Sequence, residues 1–266
     1  MQLSELYRYP VKSLAGHELV HAWVDRFGLK DDRRWIVVDR DGSFLTQREL
    51  PKMALISTQI TGAGLTLQAP GMPSMIIERP PLDTRQMGVR IWHDNCQAQM
   101  CEGRVHIWLS DFLGQACQLV YMADTSVRQV DQRYAATEDC TAFADGFPLL
   151  LISQASLDDL NGRLDQPMPM IRFRPNLVVT GCEPYEEDSW RLIRIGELTL
   201  RVVKPCSRCK ITTVDPNTGE TGKEPLKTLA GYRRRGKQVY FGQNLLHDDI
   251  GELSVGMPVE VLQRHE

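Results

Sequence analysis

The sequence has few aromatic residues, no excess of basic over acidic side chains, no internal repeat and no long apolar run. The uncharged stretch from Met53 to Ile77 is long enough to span a bilayer, but Gly62, Gly64, Pro70, Gly71 and Pro73 break it among polar residues. It reads as a hairpin, ALISTQI and LTLQA about the turn TGAG, so no membrane association is expected. With 31 Lys and Arg against 34 Asp and Glu, the net charge of −3 provides no overall basic field for nucleic acid or anionic lipid. The seven cysteines, Cys96, Cys101, Cys117, Cys140, Cys182, Cys206 and Cys209, are odd in number and scattered. No charged-then-apolar leader is visible, so thiols in a reducing, cytoplasmic compartment are expected. A chain of 266 residues buries a sizeable core without metal or disulfide staples.

What is present is a succession of short β-rich segments and turn signals. LSELYRYP, ELVHAWV, RRWIVVDRDGSFL, the hairpin and GVRIWHD favour antiparallel sheet or barrel in the first half. A helix is predicted after Cys101, where Val105, Trp108, Leu109, Phe112 and Leu113 recur at helical spacing and Gly114 stands at the C-terminal cap. The polar stretch Met122 to Asp139 reads as a linker or exposed crossing, which divides the chain into residues 1–122 and 123–266. Beyond it, FPLLLIS reads as a buried strand and SQASLDDLNGRL as a helix with Ser153 as its N-cap and Leu157, Leu160 and Leu164 on one face. NLVVTG, WRLIRIG, ELTLRVV, ITTV, QVYFGQ and PVEVL are strand-like, and Pro225 fits the first turn of a short helix, EPLKTLAGY. The expected fold class is α+β, mainly antiparallel β-barrel with a β-rich amino-terminal domain.

The segment Lys204-Pro-Cys-Ser-Arg-Cys-Lys210 is the richest in chemistry. Its cysteines stand among Arg201, Lys204, Arg208 and Lys210, an electropositive setting that favours a thiolate and suits a soft metal. A lone Cys-x-x-Cys also fits half a zinc site, a redox pair or small packing residues. Zinc would have to recruit Cys96 and Cys101, whose spacer is longer and precedes a helix. A thioredoxin-like pair would open a helix, whereas ITTV and the turn DPNTG follow here. A cysteine nucleophile needs a base, and His17, His21, His93, His106, His247 and His265 form no pattern that supplies one. Asp215 could act near a metal, but in VDPNTG the turn is favoured, with its carboxylate bonded to local backbone. Arg233-Arg-Arg-Gly-Lys237 reads as a solvated loop, and Gly219-Glu-Thr-Gly-Lys223 has the wrong spacing for a phosphate loop.

Taken in order, YRYPVKSL, DDRRWIVVD, TQRELP, FADGFPLLLISQASLDDLN, RFRPNLVV, EEDSW, PCSRCKITTVDPNTGE, KEPLKTL, FGQN and VGMPVEVL cover nearly the whole chain. This series resembles the MOSC-domain proteins, in particular the mitochondrial amidoxime-reducing components and their bacterial relatives. The resemblance implies a molybdenum cofactor, Mo-molybdopterin, lying between the amino-terminal region and a β-barrel MOSC domain. It makes Cys209 the cysteine ligand of the metal, matches Ser207 and Arg208 to cofactor contacts, and gives Cys206 no role. For the pterin phosphate it points to Lys12, Ser13, Arg33, the Asp145-Gly146-Phe147 loop, Arg174 and Asn176. Cys209 and Asp215 are the candidate catalytic residues, and the family is also associated with pyridoxal phosphate binding.

The activity implied is reduction of N–O bonds in small N-hydroxylated compounds to amine or amidine and water, with the cofactor carrying the chemistry. The alternative is a carrier of cofactor or of sulfur without turnover of its own. The sequence ends at VEVLQRHE without a cysteine-rich iron–sulfur module, and a separate flavin or iron–sulfur electron-donor protein is the expected partner.

Overall fold

The computed structural model describes residues 1–62 and 64–265. Its largest sheet runs Val259–Arg264, Trp190–Ile195, Leu198–Ser207, Gln238–His247, Leu149–Ser153, Leu177–Thr180, Gln2–Arg8 and His17–Leu19, with Arg234–Arg235 beside Gln238–His247. Neighbours pair antiparallel except Leu149–Ser153 and Leu177–Thr180, which are parallel and connected through helix α1 (Gln154–Asn161). The ends of the sheet meet: Leu3 N donates to Met257 O at 2.9 Å and Val259 N to Met1 O at 3.0 Å, so the sheet curls closed. Inside lie Leu3, Leu6, Leu151, Trp190, Ile193, Leu200 and Leu245. Alternate residues face outward, where Tyr9, Ile152, Leu157, Leu160, Phe173 and Phe241 form a second core.

The amino-terminal region adds a four-stranded sheet, Trp35–Val38, Gln118–Tyr121, Asp94–Met100 and Gln86–Ile91. The uncharged stretch forms the expected hairpin, Ser57–Thr61 paired with Gly64–Gln68, extended by Met75–Ile77. The expected turn TGAG includes Ala63, which lies outside the described residues. The helix expected after Cys101 spans Gly103–Leu113 and buries Val105, Trp108, Leu109, Phe112 and Leu113. Gly114 ends it at φ 76°, the left-handed conformation that glycine adopts without a Cβ penalty. Ser153 caps α1 by accepting from Ser156 N, as its position before a leucine-periodic run implies. The chain is thus mixed α and β, dominated by antiparallel sheet.

Three readings change. ITTV is not a strand: Lys210–Thr213 is a 3-10 turn, because the Thr212 and Thr213 hydroxyls donate to the carbonyls of Cys209 and Lys210 at 3.0 and 2.8 Å. The stretch Met122 to Asp139 is not simply exposed, since Met122, Arg128 and Val130 are buried. The helix of SQASLDDLNGRL stops at Asn161, and Leu164 packs only partly buried beside it. The first strand, Gln2–Arg8, belongs to the sheet of the second half, which delivers Lys12 and Ser13 beside Leu150 and Asn176. Among the described residues no helix is long and apolar enough to cross a membrane.

Candidate functional site

A cleft open to solvent lies where the turn after the first strand meets the carboxyl end of Leu198–Ser207. Lys12, Ser13, Arg33, Asp145, Gly146, Phe147, Arg174, Asn176, Ser207, Arg208 and Cys209 all line it. Asp215, the remaining candidate, does not: its Oδ1 accepts from Asn217 N at 2.9 Å and Thr218 N at 3.1 Å, and its Oδ2 from Arg172 at 2.6 Å. The structure thus places Asp215 in its turn, outside the cleft, with its oxygens bonded to backbone and Arg172.

Ser13, Arg33 and Arg174 have φ of 64°, 47° and 58°, a left-handed backbone that L side chains seldom adopt. Such conformations persist where surrounding contacts hold them. Arg33 donates to Asp32 at 2.6 Å, to Asn176 Oδ1 at 3.1 Å and to the Arg174 carbonyl at 3.1 Å. Asn176 also accepts from Leu150 N at 3.2 Å and donates to the Tyr7 carbonyl at 3.2 Å. It acts as a brace: all its bonds run to the protein. The guanidinium carbons of Arg33 and Arg174 lie 4.4 and 4.3 Å from the Tyr9 ring centroid, so one buried aromatic supports both charges. A Cβ on Gly16 would come within 2.3 Å of that ring, so only glycine fits there.

Among the described residues five cations, Lys12, Arg33, Arg48, Arg174 and Arg208, line the cleft with a single carboxylate, Asp145. Arg174 donates to the Leu14 carbonyl at 2.7 Å, and burial followed by the charge of Arg33 brings its pKa down to about 10. Burial likewise lowers Lys12 to about 8, against the opposing pull of Asp145, to which it donates at 2.5 Å. Desolvation pushes the Asp145 carboxyl up, but the charge and hydrogen bond of Lys12 outweigh it, and the group stays well below the usual carboxylate range.

The two cysteines differ in what they touch. Arg208 Nη1 donates to Cys206 Sγ at 3.0 Å while its Nη2 donates to the Phe173 carbonyl at 2.5 Å. Cys209 starts the 3-10 turn, and its carbonyl is held by Thr212 N and Oγ1. Among the described residues no hydrogen bond reaches its sulfur, which leaves a soft donor free at the cleft.

Sequence reasoning passed over four residues. Arg48, within TQRELP, stacks its guanidinium 4.3 Å from the Trp92 ring and lies 3.9 Å from Asp145. Trp92, on the turn between Gln86–Ile91 and Asp94–Met100, donates to Asp145 Oδ1 at 3.2 Å, and Phe44 meets its ring edge-on at 4.9 Å. Arg128 donates to the carbonyls of Ala142, Ala144 and Asp145 at 2.7, 2.6 and 3.2 Å, and twice to Asp94 Oδ2 at 3.0 and 2.8 Å. Arg128 is buried, and an arginine in a polar stretch gives no sign of that, since exposure is the commoner state of arginine.

A phosphorylated pterin bearing a metal fits this donor set. The cations exceed the carboxylates, and the Nε atoms of Arg48 and Arg208 are buried without partners among the described residues, donors suited to phosphate or pterin oxygens. No cluster of three His, Cys, Asp or Glu side chains among the described residues could chelate a bare ion. A metal at Cys209 would need to bring ligands with it, as a dithiolene does.

The MOSC N-terminal beta barrel domain matches residues 1–116 and the MOSC domain residues 138–260. The mitochondrial amidoxime-reducing component 1 of Mus musculus is 36% identical over 279 residues, covering 98% of this chain and 82% of its own length. Component 1 of Homo sapiens is 35% identical over 98% of this chain and 82% of its own length. The Homo sapiens component 2 is 34% identical, with 97% and 82% covered.

Proposed function

The chain belongs to the MOSC-domain family together with the amidoxime-reducing components, and from that membership we propose that it is a molybdenum-cofactor-dependent reductase of small N-hydroxylated compounds. The observation that carries the reading is one cleft joining the uncommitted sulfur of Cys209 to five cations and a single carboxylate. Cys209 would bind the metal through its thiolate. Lys12 and Arg174 would neutralise the phosphate dianion, and Ser13, Ser207, Arg33 and Arg208 would supply further donors. When bound, the cofactor supplies two-electron redox chemistry.

The chain's own part is binding and orientation. Asn176 fixes Arg33, and Arg128 fixes the backbone of the Asp145-Gly146-Phe147 loop. Asp145 stays ionised at neutral pH, so it accepts a hydrogen bond from a substrate N–H or O–H and is not a proton source. Cleavage of a hydroxylamine, R–NHOH, consumes two electrons and two protons and yields R–NH₂ and water. Residues 1–122 and 123–266 both contribute to the cleft, and the free cysteines suit a reducing, cytoplasmic setting.

The test is turnover of an aryl hydroxylamine by purified, cofactor-loaded protein with an artificial reductant. The reading expects amine formation well above the rate given by free cofactor. Turnover no faster than free cofactor, with the cofactor still bound and transferable, would instead identify a carrier.

A further inference from the structure

Beside the cleft, on the far side of Arg208, lies an open groove whose charge is of one sign. Lys210, Lys223, Lys227, Arg234 and Lys237 line it, all exposed, with Arg208 shared between groove and cleft. Among the described residues no carboxylate lines the groove, and none of the five exposed cations has an ion-pair partner. The neighbouring Arg233 and Arg235, in contrast, are both paired with Asp188. In a chain of net charge −3, five unneutralised cations on one face make a local field opposite to the average.

The charges come from separate pieces of chain: the turn at Lys210, the loop before α2 (Leu226–Tyr232), that helix, and the hairpin Arg234–Gln238. Such convergence is a property of the fold rather than of one basic run. Lys210 follows the candidate metal ligand directly in sequence. Resting on the reductase reading above, we propose that this groove is the docking surface of an acidic electron-donor protein. Each docked donor gives up one electron, and two encounters supply the two electrons that N–O cleavage consumes along with two protons.

Other polyanions fit less well. Single-stranded nucleic acid binds through stacked aromatics, and among the described residues no aromatic lines the groove. A membrane surface would engage apolar anchors as well as charge, but Trp23, Ile76, Leu82, Ile107 and Ile250, exposed apolar side chains, all lie elsewhere. Charge complementarity without apolar insertion is the signature of a transient, electrostatically steered protein contact.

The experiment compares wild type with the triple variant Lys223→Glu, Lys227→Glu, Lys237→Glu, both cofactor-loaded, on an aryl hydroxylamine. One arm uses reduced methyl viologen, the other flavodoxin hydroquinone or a reduced plant-type ferredoxin, both acidic proteins. The viologen-driven rate should match wild type, while the protein-driven rate should fall about tenfold or more at low ionic strength and lose its salt dependence. Equal protein-driven rates in the two chains would overturn the proposal. So would a viologen-active wild type that neither acidic donor can reduce, or salt-sensitive binding of tRNA or phosphatidylserine vesicles with no effect of the variant on donor-driven turnover. Absence of viologen-driven turnover in the loaded wild type would remove the reductase reading itself, and the docking proposal with it.

Discussion

Lys12 Nζ lies 2.5 Å from Asp145 Oδ1, joining the turn after the first strand to a loop 133 residues further along the chain. The lysine is 6% exposed, and its pKa of about 8 places its charge loss within reach of mild alkali. A bound phosphate dianion favours the protonated amine, so the complex holds its proton to higher pH than the empty cleft does. Anion affinity is therefore level below pH 8 with respect to this group and falls above it, by up to about tenfold per pH unit. Calorimetric titration of cofactor-free protein with inorganic phosphate from pH 7.5 to 9.5 checks this. Lys12→Arg, which stays charged throughout, should flatten the profile; a profile that falls equally in both proteins would contradict the assignment.

Arg174 should matter for cofactor content more than for turnover. Among the described residues its guanidinium makes one hydrogen bond, to the Leu14 carbonyl, and no carboxylate pairs with it. Arg174→Gln removes a charge-assisted contact of about 1.5–3 kcal/mol, roughly a tenfold or greater loss of cofactor affinity. Molybdenum and pterin per chain should drop, while turnover per loaded site stays close to wild type. Full occupancy with a raised Michaelis constant would mean that Arg174 contacts substrate instead.

Arg128 is expected to be structural and functional at once. Its side chain is 3% exposed, and replacement by methionine would leave three carbonyls without their donor. A loss of about 3 kcal/mol in unfolding free energy follows, read as a lower urea midpoint at unchanged slope. Arg128→Lys, keeping charge but not the fork, should recover part of the stability and less of the cofactor content. Equal cofactor content in Arg128→Lys and wild type would remove the loop-positioning role.

How much of this was legible in the sequence depended on range. The helix ending at Gly114, the Ser153 cap and the hairpin after Ile56 are local patterns, each held by bonds within a few residues, and they were readable directly. Cys209 carries a local signal, a Cys-x-x-Cys among cations that also fits other roles; Lys12, Arg33 and Arg174 are singled out only because short strings around them resemble a family. Arg48, Trp92 and Arg128 act through partners 14 to 97 positions away, as in the pairs Arg128–Ala142 and Arg48–Asp145, and nothing in their flanking residues announces it. ITTV misleads because threonine's β-branching argues for a strand while its hydroxyl can bond back to the chain.

Arg208 occupies the sulfur of Cys206 at 3.0 Å, and no hydrogen bond among the described residues occupies that of Cys209. The proposal that Cys209 is the protein's ligand to molybdenum draws on this difference. X-ray absorption at the molybdenum edge on loaded Cys209→Ser and Cys206→Ser proteins measures it directly. Serine replaces a soft thiolate by a poorly ionised hydroxyl, so Cys209→Ser should lose one sulfur neighbour and its reductase activity, whereas Cys206→Ser keeps its sulfur count. An unchanged count in Cys209→Ser, or a sulfur lost only in Cys206→Ser, would contradict the account.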